Sequence, residues 1–149
     1  MSAGSLPLAV YATRAQMQAR FGESELISLT DRNGSAGSIV SSVLDVALHD
    51  ATALINGYLA GRYTLPLVTA PDMLARLCCD IARYGLYDNG ASEQVSKRFD
   101  DAVRFLEMVA AGKISLGIST EDESPVSHDL AVIESDGTVF NRRQSQGFI

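Results

Sequence analysis

The chain has 149 residues and a formal net charge of −6, with 46% hydrophobic and 20% charged residues. This composition suits one packed domain plus an extension and does not indicate wholesale disorder. The acidic balance argues against a general nucleic-acid-binding module, which needs basic clusters to neutralise phosphates. No apolar run reaches the roughly 20 residues that span a bilayer, and the first residues lack the regions of a secretory signal. We therefore expect a soluble protein that is made and folded in a cytoplasm.

The helical elements follow one another with short loops. The first begins after an N-cap at Thr13 and ends at Gly22, with a short continuation over 24–29 and a loop over 30–37. The second covers 39–59, where apolar residues recur with three-to-four spacing. The third opens at Pro71 and fades around 87–90, and the fourth covers 92–111. The predicted fold is all-α, a small body resembling a four-helix bundle with an extended C-terminal tail.

The remaining segments are predicted to be extended. Residues 62–67 contain Pro66, which disfavours helical geometry in the residue before it, and residues 113–118 alternate apolar and small side chains. Residues 130–134 and 138–141 flank a Gly-containing connection, which predicts a β-hairpin in the tail. An isolated hairpin is marginal in water, so this one would need a surface to lie on.

Charge separates this tail from the body. Residues 1–118 carry ten basic and twelve acidic side chains, whereas residues 119–149 carry two basic and six acidic ones. The stretch 119–125 has the composition of a linker. We expect an N-terminal extension at 1–10, a helical domain at 11–118, and an acidic linker with a C-terminal docking tail at 119–149.

Residues that could carry chemistry are few. Cys78 and Cys79 are adjacent in an apolar helix, which favours two small buried side chains over a metal or redox site. Asp45 and His49 share a helix face, but two groups do not complete a metal site, which favours a solvated face. The chain contains no phosphate-binding glycine loop and no nucleophile elbow. We therefore expect no catalytic, metal or cofactor site, and no enzyme.

Two segments are candidates for binding a partner protein. The stretch 62–67 is either a connector whose Leu65 and Leu67 close the end of the core, or a docking loop rich in residue types found at binding hot spots. The C-terminal stretch 139–149 combines arginines and phenylalanines after the acidic linker. The candidate interface residues are Arg62, Tyr63, Leu65, Pro66, Val139, Phe140, Arg142, Arg143 and Phe148.

Several motifs resemble those of the Mu-like phage and prophage head–tail connector family. The similarity runs through YAT at 11–13, RFG at 20–22, INGYLAGRY at 55–63, LPL at 65–67, CDIARY at 79–84 and RF at 98–99, and it covers most of residues 11–118. The closing residues Val139, Phe140, Arg142, Gly147 and Phe148 also resemble the family ending. Residues 119–135 match no motif of it.

The resemblance implies a structural virion protein of the phage neck. Such a protein forms an adaptor ring, a dodecamer, which joins the portal of the DNA-filled head to a tail-completion or tail-terminator protein. DNA would pass through the channel without specific binding, and no catalytic residues come with the family. The protein would be assembled in the bacterial host cytoplasm and would contact no membrane.

A second class of function stays open from the residues themselves. A small helical domain with an acidic tail could be a monomeric phage or prophage regulator that binds a soluble host or phage partner. Assembly separates the two, because a connector forms rings or portal complexes and a regulator does not. For the connector we expect residues 119–149 to be mobile in the free subunit and to order against the portal and the neighbouring subunits.

Overall fold

A computed structural model describes residues 10–88 and 90–118. The described chain forms five helices: α1 (Arg14–Phe21), α2 (Glu23–Thr30), α3 (Ser41–Leu59), α4 (Asp72–Leu86) and α5 (Glu93–Ala110). The predicted all-α class is confirmed. The predicted hairpin, the docking tail and the N-terminal extension through residue 9 lie outside the described residues.

The first helix begins and ends where its sequence predicts, and the second extends one residue further at each end than the predicted 24–29. Thr13 caps α1 through a capping box with Gln16, in which each side chain bonds the other residue's backbone N–H. Gly22, at a φ of 91°, ends α1 and starts α2 in a conformation that favours glycine. The short continuation predicted over 24–29 is therefore a separate helix of 8 residues, which makes five helices rather than four.

The three longer helices build the centre of the body. α3 packs against both α4 and α5, while α1 and α2 cover one side. Fully buried side chains of the core include Met17, Leu26, Leu44, Ile55, Leu59, Leu74, Leu106 and Val109. Pro71 is the N-cap of α4 rather than its first residue, and Ser92 caps α5 through a bond from the backbone N–H of Val95.

The two cysteines are buried, as predicted. Cys78 and Cys79 are both 0% exposed, in the middle of α4. Burial raises the pKa of the Cys78 thiol, and burial together with the neighbouring Cys78 raises the pKa of Cys79 to about 12. The spacing of apolar residues along this helix also predicts a buried Met73, which is wrong: the side chain is 36% exposed, because it lies in the first turn of α4 at the edge of a surface groove.

The stretches that join or follow the long helices are irregular. Residues 62–67 and 113–118 contain turns and bends, and no helix or strand covers either of them. Both lie at the end of the body where α3 and α5 finish and α4 begins. Within 10–88 and 90–118, no helix combines the length and apolar character that crossing a membrane requires.

Candidate interaction surface

The connector between α3 and α4, residues 60–71, is fixed to the end of the helical body. Arg62 donates a hydrogen bond from Nη1 to the backbone carbonyl of Val109, 3.0 Å away, near the end of α5. Gly112 follows α5 at a φ of +81°, and a Cβ there would lie 2.9 Å from the same Nη1. A glycine at position 112 thus permits both the turn and the close approach of the guanidinium.

Tyr63 anchors the connector from inside. Its side chain is 1% exposed, and its hydroxyl oxygen accepts a hydrogen bond of 2.9 Å from the backbone N–H of Leu116. Leu116 is itself buried. This hydrogen bond therefore joins the connector to the segment that leads out of α5, and both of its residues are buried in the body.

Beyond Tyr63 the connector alternates between inward and outward side chains. Leu65 and Leu67 are half-buried and pack against the core, whereas Pro66 is exposed and Val68 is 82% exposed. The Leu65–Pro66 peptide bond is cis. This packing supports the first interpretation of the stretch 62–67, in which Leu65 and Leu67 close the end of the core.

The outward residues of this connector form a surface without charge. No residue from 63 to 71 carries a charge, although the ends of the stretch are flanked by Arg62 and Asp72. We call residues 64–70 the uncharged loop; its exposed side chains alternate with the half-buried Leu65 and Leu67. An exposed apolar side chain on a loop held by buried anchors is suited to contact with another protein.

The structure places only four of the nine predicted interface residues. Arg62 and Tyr63 make contacts within the body, Leu65 packs on the core, and Pro66 is exposed. Val139, Phe140, Arg142, Arg143 and Phe148 lie outside the described residues. The sequence analysis did not name Val68, although the alternation of inward and outward side chains, continued one residue past Leu67, places Val68 on the outside.

Asp45, which the sequence analysis considers together with His49, takes part in a surface ion pair. Asp45 accepts two hydrogen bonds from Arg14, at 2.8 and 2.6 Å, and this partner holds the pKa of the Asp45 carboxyl below its usual value. His49 is exposed on the same helix. No group of three or more potential metal ligands occurs among residues 10–88 and 90–118.

One ion pair that the sequence did not predict joins α2 to α4. Arg83 donates two hydrogen bonds to Glu25, at 2.7 and 3.0 Å, and the hydroxyl of Tyr87 donates a third to the same carboxylate at 3.1 Å. The Arg83 guanidinium also lies 4.3 Å from the ring centroid of Phe21. Only 14% of the Arg83 side chain is exposed, so this cluster is a fixed part of the body.

Comparison with known proteins connects this body to a phage family. The family described as "Bacteriophage Mu, Gp36" matches residues 11–135, which is most of the chain. The chain belongs to this family. It is 48% identical over 114 residues to the "Mu-like prophage FluMu protein gp36" of Haemophilus influenzae, covering 76% of this chain and 81% of that protein. It is 39% identical over 140 residues to "Gene product J" of Escherichia phage Mu, covering 93% of this chain and 99% of that protein.

The matched range extends through residues 119–135, for which no motif of the family was recognised, and it ends before the predicted interface residues of 139–148. Residues 11–135 contain the five helices, the uncharged loop and the acidic linker. The resemblance predicted from the sequence is thus confirmed at the level of a Mu-like phage protein family.

Proposed function

We propose that this protein is a structural protein of the phage particle, an adaptor of the neck that joins the portal of the head to the tail-completion or tail-terminator protein. Membership of a Mu-like phage family supports a role in the particle or its assembly. The observation that carries the docking role is the uncharged loop, which presents exposed apolar side chains from a base fixed by Tyr63.

The charge of the chain is compatible with this position. A net charge of −6 disfavours retention of DNA on the protein, so DNA could pass along an adaptor ring without specific binding. The proposed ring is a dodecamer. The proposed role needs no catalytic group, metal or cofactor.

The test is assembly with the portal of the same phage. Purified protein and portal are mixed, separated by size, and imaged by electron microscopy, and we expect a ring of adaptor subunits on one face of the portal. A protein that remains monomeric beside an intact portal would instead support the alternative, a regulator with a soluble partner.

A pair of matched variants locates the docking surface. V68E places a charge in the uncharged loop, and V46E places the same charge on α3, where Val46 is 61% exposed. Both variants should fold, because substitutions at exposed positions usually change stability little. We expect V68E to lose portal binding by at least about tenfold, since a charge buried at an interface is costly; V46E should retain it. Equal binding by both variants would remove the uncharged loop from the interface.

A further inference from the structure

A second surface lies between α4 and α5, on a different part of the body from the uncharged loop. It is a groove of about 510 Å³ that begins at Met73 and Met108 and extends to Asp80 and Arg98. Its lining combines apolar side chains with arginines: Met73, Leu77, Phe105 and Met108 alternate with Arg76, Arg98 and Arg104. This mixture is suited to a peptide with both acidic and apolar side chains.

Two of these arginines have no carboxylate partner within the described body. Arg104 shares Asp101 with Lys97, at 3.1 and 3.2 Å. For Arg76 and Arg98, no ion pair within 4.0 Å is formed with any residue of 10–88 or 90–118. Both side chains are exposed at the groove.

The other acidic residue of the groove, Asp80, does not neutralise the charges of Arg76 and Arg98. Asp80 is 6% exposed, and burial raises the pKa of its carboxyl, while the charges of Arg98, Arg76, Arg20 and Arg83 act in the opposite direction. Three arginines and two aspartates line the groove, so positive charge is in excess there, and one of the two carboxyl groups, that of Asp80, is buried. An acidic ligand would therefore gain charge-assisted hydrogen bonds there.

An acidic segment follows the described body along the chain. Residues 121–123 are Glu121, Asp122 and Glu123, and they begin three residues after Ile118. Lys113 donates a backbone hydrogen bond to Met108, so the chain leaves α5 at the end where the groove begins. Five extended residues after Ile118 span up to about 17 Å. The groove runs about 10 Å along α4 from Met73 to Asp80, and about 15 Å along α5 from Met108 to Arg98.

We propose that Glu121, Asp122 and Glu123 bind in the α4–α5 groove of their own chain and pair with Arg76 and Arg98. Attachment through a few residues gives the segment a high effective concentration at the groove, which favours the same chain over a second copy. The expected mobility of residues 119–149 in the free subunit then applies only beyond this segment.

A nucleic-acid backbone is the competing acidic ligand. It fits less well, because Met73, Leu77, Phe105 and Met108 would contact charged phosphates rather than side chains. The proposal does not depend on the neck role, since the groove and the segment belong to one chain.

Zero-length crosslinking of the full chain tests the proposal. In the variants R76K and R98K the positive charge is kept and an amine is introduced, which a carbodiimide joins to a carboxylate in contact with it. R14K is the matched control, because its amine lies beside Asp45 and should couple there. Linked peptides are identified by mass spectrometry, and a mixture of isotope-labelled and unlabelled protein separates links within a chain from links between chains.

The proposal predicts links from positions 76 and 98 to residues 121–123 within one chain. Their yield should exceed that of links from position 14 to the same residues by at least about tenfold, and it should fall in 1 M salt, where exposed charges are screened. Links found only between chains would assign the groove to a second copy and overturn the proposal. The proposal would also be overturned if R14K couples to Asp45 while the lysines at positions 76 and 98 form no links to 121–123. Loss of the links on addition of equimolar duplex DNA would likewise overturn it.

Discussion

Tyr63 is a residue whose role differs from what its type suggested. Tyrosine is common at binding hot spots, yet this ring is enclosed by the core and its hydroxyl receives the backbone N–H of Leu116. The tyrosine therefore supports the uncharged loop from below rather than touching a partner. By accepting this hydrogen bond, the Tyr63 hydroxyl holds in place the segment that follows α5.

Replacement of Tyr63 by Phe should destabilise the protein by about 1–2 kcal/mol, because the buried N–H of Leu116 loses its acceptor while the ring is kept. Urea unfolding measures the change. Y58F is the matched control, since Tyr58 is half-buried on α3 and the same hydroxyl is removed. Equal stability of Y63F and the parent protein would contradict the proposed anchor.

The raised pKa of the Cys79 thiol should make the stability of the protein depend on pH in the alkaline range. Its pKa is raised from 9.0 to about 12 in the folded protein, chiefly by burial. The unfolded chain thus releases the thiol proton at a lower pH than the folded one. The contribution of the thiol to stability is present in full below pH 9 and is lost as the pH rises toward 12.

We expect the free energy of unfolding to decline above pH 9, and C79A to decline less steeply over the same range. Denaturant unfolding from pH 7 to 11 gives both profiles, and their slopes are compared so that any packing cost of C79A at neutral pH does not matter. Identical slopes would show that Cys79 does not ionise differently in the two states.

At the scale of elements, the two short helices depend on their attachment to the longer ones. Isolated helices of eight residues are unstable in water because nucleation is costly. The Glu25–Arg83 pair, the Tyr87 hydroxyl and the Phe21 ring together hold α1 and α2 against α4. Charges that are mostly withdrawn from solvent make this contact stronger than a surface pair.

Substitution E25A should lower the stability by about 2 kcal/mol, because Arg83 keeps its buried position and loses a charged acceptor. D45A removes the partner of Arg14 at an exposed pair and should have a much smaller effect. Thermal unfolding compares the two variants. An effect of D45A as large as that of E25A would contradict the distinction between the two pairs.

The sequence predicted helix termini well where a capping residue or a glycine marks them. Thr13, Gly22 and Ser92 act at helix termini through their own backbone or side-chain geometry, so no distant residue is needed to recognise them. The contacts of Arg83 and Tyr63 span 58 and 53 residues along the chain, and nothing in the local pattern specifies such partners. The sequence did not predict the α4–α5 groove for the same reason, because Arg76 and Arg98 come together only when α4 packs on α5.

At the scale of the whole molecule, the net charge is negative, and the arginines of the α4–α5 groove form a local positive region. The body carries ten basic side chains among twelve acidic ones, so no long run of phosphates can be neutralised. The arginines of the α4–α5 groove are a small exception with a mixed, partly apolar lining.

We therefore expect the isolated protein to bind duplex DNA negligibly at physiological salt. Fluorescence anisotropy with a labelled duplex measures this over a range of salt concentrations. Tight binding with a steep salt dependence would indicate a nucleic-acid partner and would contradict passage of DNA without retention.

The central proposal, an adaptor ring on the portal, is tested most directly by counting subunits in an electron-microscopy reconstruction of the protein bound to its phage portal. The account predicts a closed ring of twelve copies, with the uncharged loops at the contacts between proteins. A portal that carries no ring while the protein remains a monomer in the same sample would contradict it.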